Sequence, residues 1–235
     1  MHNFEYREPD TLEEALALLG ELGEEAKIVA GGTALVIMLN QRLLMPSHLI
    51  SLRKLRDIDQ IESSDGTLQL GALATLRAVE TSPVVKEQSP VLAETYAQVA
   101  TLRIRNMATV GGSLAHADPN QDPPVILMAL DARVGLASAG GSREVVLDEF
   151  FTDYYETVVR PDELVTRVVV PRAAPHTGST YLKFLPRTSE DYATVGVAAR
   201  VSLEPDSGVC QDCRLVLGGV GATPLRAREA EDLLK

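Results

Sequence analysis

Residues Ala108–Pro124 read ATVGGSLAHADPNQDPP. This stretch sets paired glycines, small hydroxyl residues and two carboxylates together, in a pattern that fits neither an amphipathic helix nor an alternating strand. It is read as a loop. Gly111 and Gly112 let backbone approach a ligand with no Cβ in the way. Free N–H groups between Thr109 and Ser113 would cradle a phosphate without a lysine. A second paired glycine lies in Val29-Ala30-Gly31-Gly32-Thr33-Ala34-Leu35, between an apolar run and a helix-like run. Two such turns point to one extended, phosphate-containing ligand held at both ends. The alternative is a pair of tight turns in a β-rich domain.

Working outward, Phe4–Arg7 is predicted as a strand. Leu12–Leu19 is predicted as a helix with Thr11 and Glu14 at capping-box spacing. Lys27–Ala30, a helix over Thr33–Asn40 and a strand over His48–Leu52 complete a small β-α-β unit. The first turn of that second helix would point N–H groups at whatever Gly31-Gly32 holds. Strands are expected over Ile58–Glu62 and Thr67–Gly71, and helices over Ala74–Glu80, Pro90–Val99 and Pro124–Leu130. Ala132–Ala137 and Arg143–Leu147 form a hairpin through Gly140-Gly141, and Leu164–Val170 is a β-branched strand. After a linker over Ala173–Gly178 come strands at Thr180–Phe184, Thr194–Val201 and Cys213–Leu217. A helix then starts at Ala227 and is cut short at Lys235. The division is 1–55, 56–172 and 178–235, the last unit being incomplete and truncated.

Acidic residues exceed basic ones by 11, which argues against a nucleic-acid binder, since a phosphate backbone needs a basic footprint. A dinucleotide is not excluded, because local N–H groups can hold a diphosphate inside an acidic protein. With four Phe, six Tyr and no Trp there is no stacking platform for single strands. The start of the chain lacks a basic segment followed by an apolar core, and no apolar run spans a bilayer, so a cytoplasmic protein without a transmembrane segment is expected. Cys210 and Cys213 have no second ligand pair and are read as ordinary positions.

No nucleophile has an adjacent base, so no catalytic residue is assigned. His116, two positions before Asp118, is too thin a basis for a metal site and is given a supporting role. Asp118 and Asp122 would repel a diphosphate and are read as facing sugar or ribityl hydroxyls, or else as helix caps. Lys183 and Arg187 could hold the electron-rich edge of a ring system. Neither glycine turn has the dinucleotide-fold fingerprint, and there is no Walker sequence.

Taken in order, these segments resemble a known family. Ala30-Gly31-Gly32-Thr33, Thr109-Val110-Gly111-Gly112-Ser113 and Asp118-Pro119-Asn120-Gln121-Asp122-Pro123-Pro124 are similar to the FAD-binding medium subunit of molybdenum hydroxylases, such as aerobic carbon monoxide dehydrogenase and xanthine dehydrogenase. The likeness continues through Leu164-Val165, Tyr181–Phe184 with Arg187, Asp191-Tyr192-Ala193 and Cys213–Gly221. It implies an α+β fold of the vanillyl-alcohol-oxidase (PCMH) type with a C-terminal flavoprotein subdomain. It also implies FAD, with residues Val29 to Leu35 and Thr109 to Ser113 enclosing the diphosphate and Asp118 and Asp122 at the sugar. Leu164 and Val165 would lie by the adenine or the ring, Lys183 on the flavin side and Tyr192 near the isoalloxazine. Phe184–Thr194 matches a loop that regulates access to the ring in some relatives.

Gly32 and Ser113 stand where xanthine dehydrogenases tend to have asparagine, which leans toward the carbon monoxide dehydrogenase-like branch. The cysteine-rich insert of the benzoyl-coenzyme-A-reductase branch is absent, so no iron–sulfur cluster or metal is expected in this chain. The implied function is electron relay. A large molybdopterin subunit oxidises the substrate, a small [2Fe–2S] subunit passes the electrons on, and this chain's flavin delivers them to NAD, a quinone or oxygen, within a dimer of heterotrimers. The rival readings are a stand-alone FAD-dependent oxidase of the same fold and a cofactor-free assembly subunit.

Overall fold

The structure, a computed structural model, describes residues 3–185, 188 and 190–235. Arg187 lies outside the described residues. Strand β1 (Glu5–Arg7) gives way to α1 (Leu12–Leu22), whose first turn is held by the Thr11 hydroxyl accepting from the Glu14 N–H at 3.2 Å. The Glu14 carboxylate reaches back to the Asp10 N–H at 2.8 Å. Gly23, at φ +52°, ends the helix. Then follow β2 (Ala26–Val29), α2 (Leu35–Asn40) and β3 (His48–Ser51), with β3 inserted between β1 and β2 and parallel to both. This is the β-α-β unit expected from the sequence. Ala15, Leu16 and Leu19 of α1 pack against Ala26 and Ile50 in a small core that also takes in Leu164 from a distant strand.

The middle of the chain begins with the hairpin β4 (Ile61–Ser64) and β5 (Thr67–Gly71). Its first strand starts later than predicted, because Ile58 is buried in the small core and its carbonyl accepts from the Leu73 N–H. Four short helices follow, α3 (Leu76–Thr81), α4 (Pro83–Gln88), α5 (Pro90–Ala97) and α6 (Leu102–Arg105). Thr75, Ser82 and Thr101 cap three of them through their hydroxyls. The stretch read as one loop instead holds a helix, α7 (Val110–His116), and the first residues of α8 (Asp122–Ala129), the apolar helix expected from Pro124 onward. Thr109 caps α7, Leu114 anchors it in the core, and Ala117 closes it in the left-handed conformation. Tertiary anchoring thus overrides the low helix propensity of the glycine pair.

The hairpin β6 (Arg133–Ser138) and β7 (Gly141–Val146) and the short pair β8 (Phe151–Asp153) and β9 (Glu156–Thr157) lead to β10 (Leu164–Val170). An antiparallel sheet in the order β4-β5-β10-β6-β7 results. The C-terminal part is a second antiparallel sheet, β11 (Thr177–Phe184), β12 (Val195–Leu203), β13 (Cys210–Gly218) and β14 (Leu225–Arg226), followed by α9 (Arg228–Leu234).

All eight residues of α8 are buried, which fits a helix apolar on every side. Its residues share the large core with Val134 and Val168 of one sheet and with Ala198 and Val216 of the other. Beyond its end, Asp131 binds Arg200 at 2.6 Å and Arg214 at 3.1 Å, tying the helix to β12 and β13. Cys210 and Cys213 are free thiols on β13. Among the described residues no helix is long and apolar enough to cross a membrane.

A buried clamp fixes the approach to β10. Both carboxylate oxygens of Glu163 accept from Arg143, at 2.6 and 2.7 Å, and one also accepts from the Arg160 N–H at 2.9 Å. Arg143 above all, outweighing burial, holds this carboxyl below its ordinary value. A depressed folded-state value stabilises the fold above the unfolded value of about 4.3 and loses that contribution as pH falls through the lower one. Glu163→Gln is therefore expected to cost about 1–3 kcal/mol at neutral pH and to flatten part of the acid limb. Urea titrations from pH 7 down to 3 test this; an acid limb identical to wild type would contradict it.

Candidate functional site

The two glycine turns meet. Gly31 packs so closely against the chain entering α7 that a Cβ there would lie 1.9 Å from the Met107 carbonyl oxygen. A Cβ on Gly112 would lie 3.8 Å from that of Ala30. The second turn is placed by β5 and its extension. The Ala72 N–H donates to Thr166 O at 3.0 Å, the Gly111 N–H to Ala72 O at 2.8 Å and the Val110 N–H to Ala74 O at 2.9 Å.

The turns play different parts. From Ala30 to Leu35, none of the six backbone N–H groups donates to another described residue, and Gly32 has φ +71°. Consecutive N–H groups around a left-handed residue form a concave anion site. In the second turn the four N–H groups from Val110 to Ser113 are spent, correcting the expectation of free donors there. The Gly112 N–H donates to Thr109 Oγ1 at 3.2 Å and the Ser113 N–H to Thr109 O at 2.9 Å. Gly111 is buried, and a Cβ on it would lie 2.6 Å from that of Ala72. It serves helix-to-strand packing, whereas Gly112 is exposed.

Ser113 is tied to Gln121, through its hydroxyl and by the Gln121 Nε2 group donating to Ser113 O at 3.1 Å. Asp118 is buried and accepts from the Asn120 N–H at 3.0 Å. Around it gather His116, Tyr155 and Tyr192. The His116 and Tyr155 rings are 5.2 Å apart, and burial pushes His116 down against the opposing pull of Asp118. Tyr192 is exposed as a residue, and its hydroxyl is pushed up to about 12 by partial desolvation and then by Asp118.

Asp122 and Lys183 are brought together, but with each other. Lys183 Nζ donates to Asp122 Oδ2 at 2.8 Å and to Gln98 O at 3.0 Å, with its side chain 1% exposed. Burial raises Asp122, while Lys183 and Tyr181 pull it back down. Lys183 was expected to hold a ring edge; its ammonium instead sits inside an ion pair. Leu164 and Val165, expected beside the adenine or the ring, have buried side chains, Leu164 in the small core and Val165 in the large one. A cavity of about 310 Å³ near Gln98, Arg105 and Leu185 touches neither glycine turn. Among the described residues no group of three or more His, Cys, Asp or Glu could hold a metal ion.

The family profile described as FAD binding domain in molybdopterin dehydrogenase matches residues 2–173, and that of the CO dehydrogenase flavoprotein C-terminal domain matches 180–235. The chain belongs to the FAD-binding medium subunits of the carbon monoxide dehydrogenase/xanthine dehydrogenase family of molybdenum hydroxylases. This medium subunit is 38% identical to the 6-hydroxypseudooxynicotine dehydrogenase complex subunit alpha of Paenarthrobacter nicotinovorans, over 99% of the chain and 78% of that protein. It is 35% identical to the carbon monoxide dehydrogenase medium chain of Hydrogenophaga pseudoflava, over 95% and 77%. A solved carbon monoxide dehydrogenase from Hydrogenophaga pseudoflava superposes with a TM-score of 0.93 at 36% identity, over 99% of this chain and 80% of that one. Quinoline 2-oxidoreductase from Pseudomonas putida 86 gives 0.91 at 35%, over 99% and 79%. The fold is the α+β PCMH type with a separate C-terminal flavoprotein subdomain.

The medium subunit's own residues fit FAD. The unspent N–H groups of the first turn suit a diphosphate, and exposed Gly112 leaves its approach clear of side chains. Several partners went unrecognised in the sequence, Gln98, Gln121, Tyr181 and Tyr155 among them. Tyr181 was detectable, lying two positions before Lys183 on one strand and hence on the same face. Tyr155 carried no local signal.

Proposed function

We propose that the medium subunit holds FAD across its two turns and relays electrons within a molybdenum hydroxylase. What carries this reading is the run of six unspent N–H groups from Ala30 to Leu35 beside Gly112. The diphosphate is assigned to that run, with Val29 ending the strand beneath it and Thr33 and Ala34 lining it. Thr109, Gly111 and Ser113 hold the second turn in shape rather than donate to the ligand. Asp118 is assigned to sugar or ribityl hydroxyls, which it can accept from at little electrostatic cost, and Tyr192 to the ring. Asp122 and Lys183 set the charge behind the site, and Leu164 and Val165 pack beneath it.

When bound, FAD supplies the redox chemistry. The chain's part is to fix the diphosphate, aim the ring and shield it. We assign the incoming electrons to a small [2Fe–2S] subunit fed by a large molybdopterin subunit, in a dimer of heterotrimers, and the outgoing ones to NAD, a quinone or oxygen. The description of one relative as a complex subunit and of another as a medium chain supports a multi-subunit setting.

The test is flavin absorbance after gel filtration, alongside a melting curve. Wild type is expected to elute yellow. Gly112→Val is expected to weaken FAD retention at least about tenfold while costing only about 1 kcal/mol of stability through its crowding of the Thr109 cap. A colourless wild type that takes up no flavin would overturn the proposal, as would substrate hydroxylation by the chain alone.

A further inference from the structure

Tyr181 and Lys183 leave β11 on one face and end on the same carboxylate. Tyr181 Oη donates to Asp122 Oδ1 at 2.5 Å and Lys183 Nζ to Asp122 Oδ2 at 2.8 Å, so both oxygens of the buried carboxylate are taken. The sheet is shaped for this contact. Lys183 pairs with Gly196 across one ladder, and Gly196 with Gly218 across the next. A Cβ on Gly196 would lie 2.5 Å from the Tyr181 hydroxyl, and one on Gly218 would lie 2.4 Å from a methyl of Val125 in α8. A bare strip two strands wide therefore receives the phenol and the helix.

From Asp122 the connection runs back to the cradle through contiguous contacts. Gln121, its neighbour in the chain, is bonded to Ser113 of α7 by two hydrogen bonds. Ser113 follows Gly112, which lies against Ala30 of the first turn. Displacing the start of α8 would carry Gln121 with it and release the first turn of α7.

We propose that Tyr181 is a positioning residue for the cofactor. By occupying Asp122 Oδ1 it fixes the start of α8, and through Gln121 and Ser113 it couples the seating of the C-terminal sheet to the shape of the cradle. The effect on FAD rests on the function proposed above; the effect on α7 does not.

The experiment is a double-variant cycle on the full chain, combining Tyr181→Phe with Asp122→Asn. It is read by the dissociation constant for added FAD and by amide hydrogen exchange of the flavin-free protein. Tyr181→Phe keeps the ring that fills the strip. It is expected to weaken FAD about tenfold, the worth of one hydrogen bond to a charged group. It is also expected to speed exchange at Gly112 and Ser113 by a similar factor, leaving β4 and β5 unchanged. In the Asp122→Asn background the same change is expected to add nothing. Gln121→Ala, which cuts the connection downstream, is expected to reproduce the α7 effect with the Tyr181–Asp122 bond in place.

Unchanged exchange at Gly112 and Ser113, or an equal effect of Tyr181→Phe in both backgrounds, would overturn the inference. If wild type takes up no FAD, the functional reading falls and the exchange cycle alone decides this one.

Discussion

Gly31→Ala is expected to lower the melting temperature by roughly 6–12 °C, from a loss of about 3 kcal/mol, and to abolish flavin uptake. The added methyl would stand 1.9 Å from the Met107 carbonyl oxygen, 2.7 Å from its carbon and 3.0 Å from the Ala108 Cα. All three are backbone atoms of the chain entering α7, so no side-chain rotation relieves the clash. The first turn must then separate from the second, which removes the cradle even where the rest of the fold survives. Two comparisons isolate the cause. Gly32→Ala has room, its nearest neighbour being a Val36 methyl at 3.5 Å, but sits at φ +71°; it is expected to cost about 1–2 kcal/mol for conformation alone. Gly20, within α1 and with nothing inside 4 Å, is expected to gain about 0.5–1 kcal/mol as alanine. Melting curves and flavin co-elution of the three variants decide the matter. If Gly31→Ala melted like wild type, the close approach of the two turns would be wrong.

The second large effect concerns the ion pair. Lys183→Met is expected to destabilise the protein by about 3–5 kcal/mol near neutral pH, because it leaves Asp122 buried with only the Tyr181 hydroxyl for company. The dependence on acidity is the more telling part. In the native protein burial raises the Asp122 carboxyl and Lys183 pulls it down. Without the ammonium, desolvation acts with less opposition and the folded-state value rises further. A raised value favours the fold below the unfolded value of about 3.9 and loses that benefit as pH climbs through the folded one. The variant should therefore regain stability on mild acidification, opposite in sign to the Glu163 contribution. Adding Asp122→Leu should restore much of the loss, since an apolar pair of similar size carries no charge to desolvate. Denaturant titrations at several pH values measure both effects. A loss that deepens on acidification would rule out this account of Asp122.

The sequence carried the β-α-β start, the hairpins β4–β5 and β6–β7 and the strand at Leu164–Val170, because period and turn residues are local signals, whereas the short pair β8–β9 went unread. The glycine turns were found for the same reason, but their division of labour was not. Gly111 and Gly112 are indistinguishable as letters; only Ala72, some forty positions away, makes one of them a packing residue. The helix over Val110–His116 was missed because its stability comes from the Thr109 cap and the buried Leu114 rather than from propensity. Lys183 and Asp122 were singled out separately, yet no spacing rule joins residues sixty-one positions apart. Leu164 and Val165 alternate as strand residues should, but which core each would enter depended on how two sheets meet.

The helix over Asp122–Ala129 is wrapped on every side, held at one end by Tyr181 and Lys183 and beyond the other by Arg200 and Arg214. Part of its covering, from β12 and β13, is synthesised after it, whereas α5 on another side is made before it, so during translation one flank of this oily rod waits uncovered. A polypeptide stopped ahead of β11 would bare the flank that β12 and β13 cover, an apolar patch prone to self-association. The two halves of this chain thus complete one core between them, and separating them would open an apolar flank in the half that carries the glycine turns.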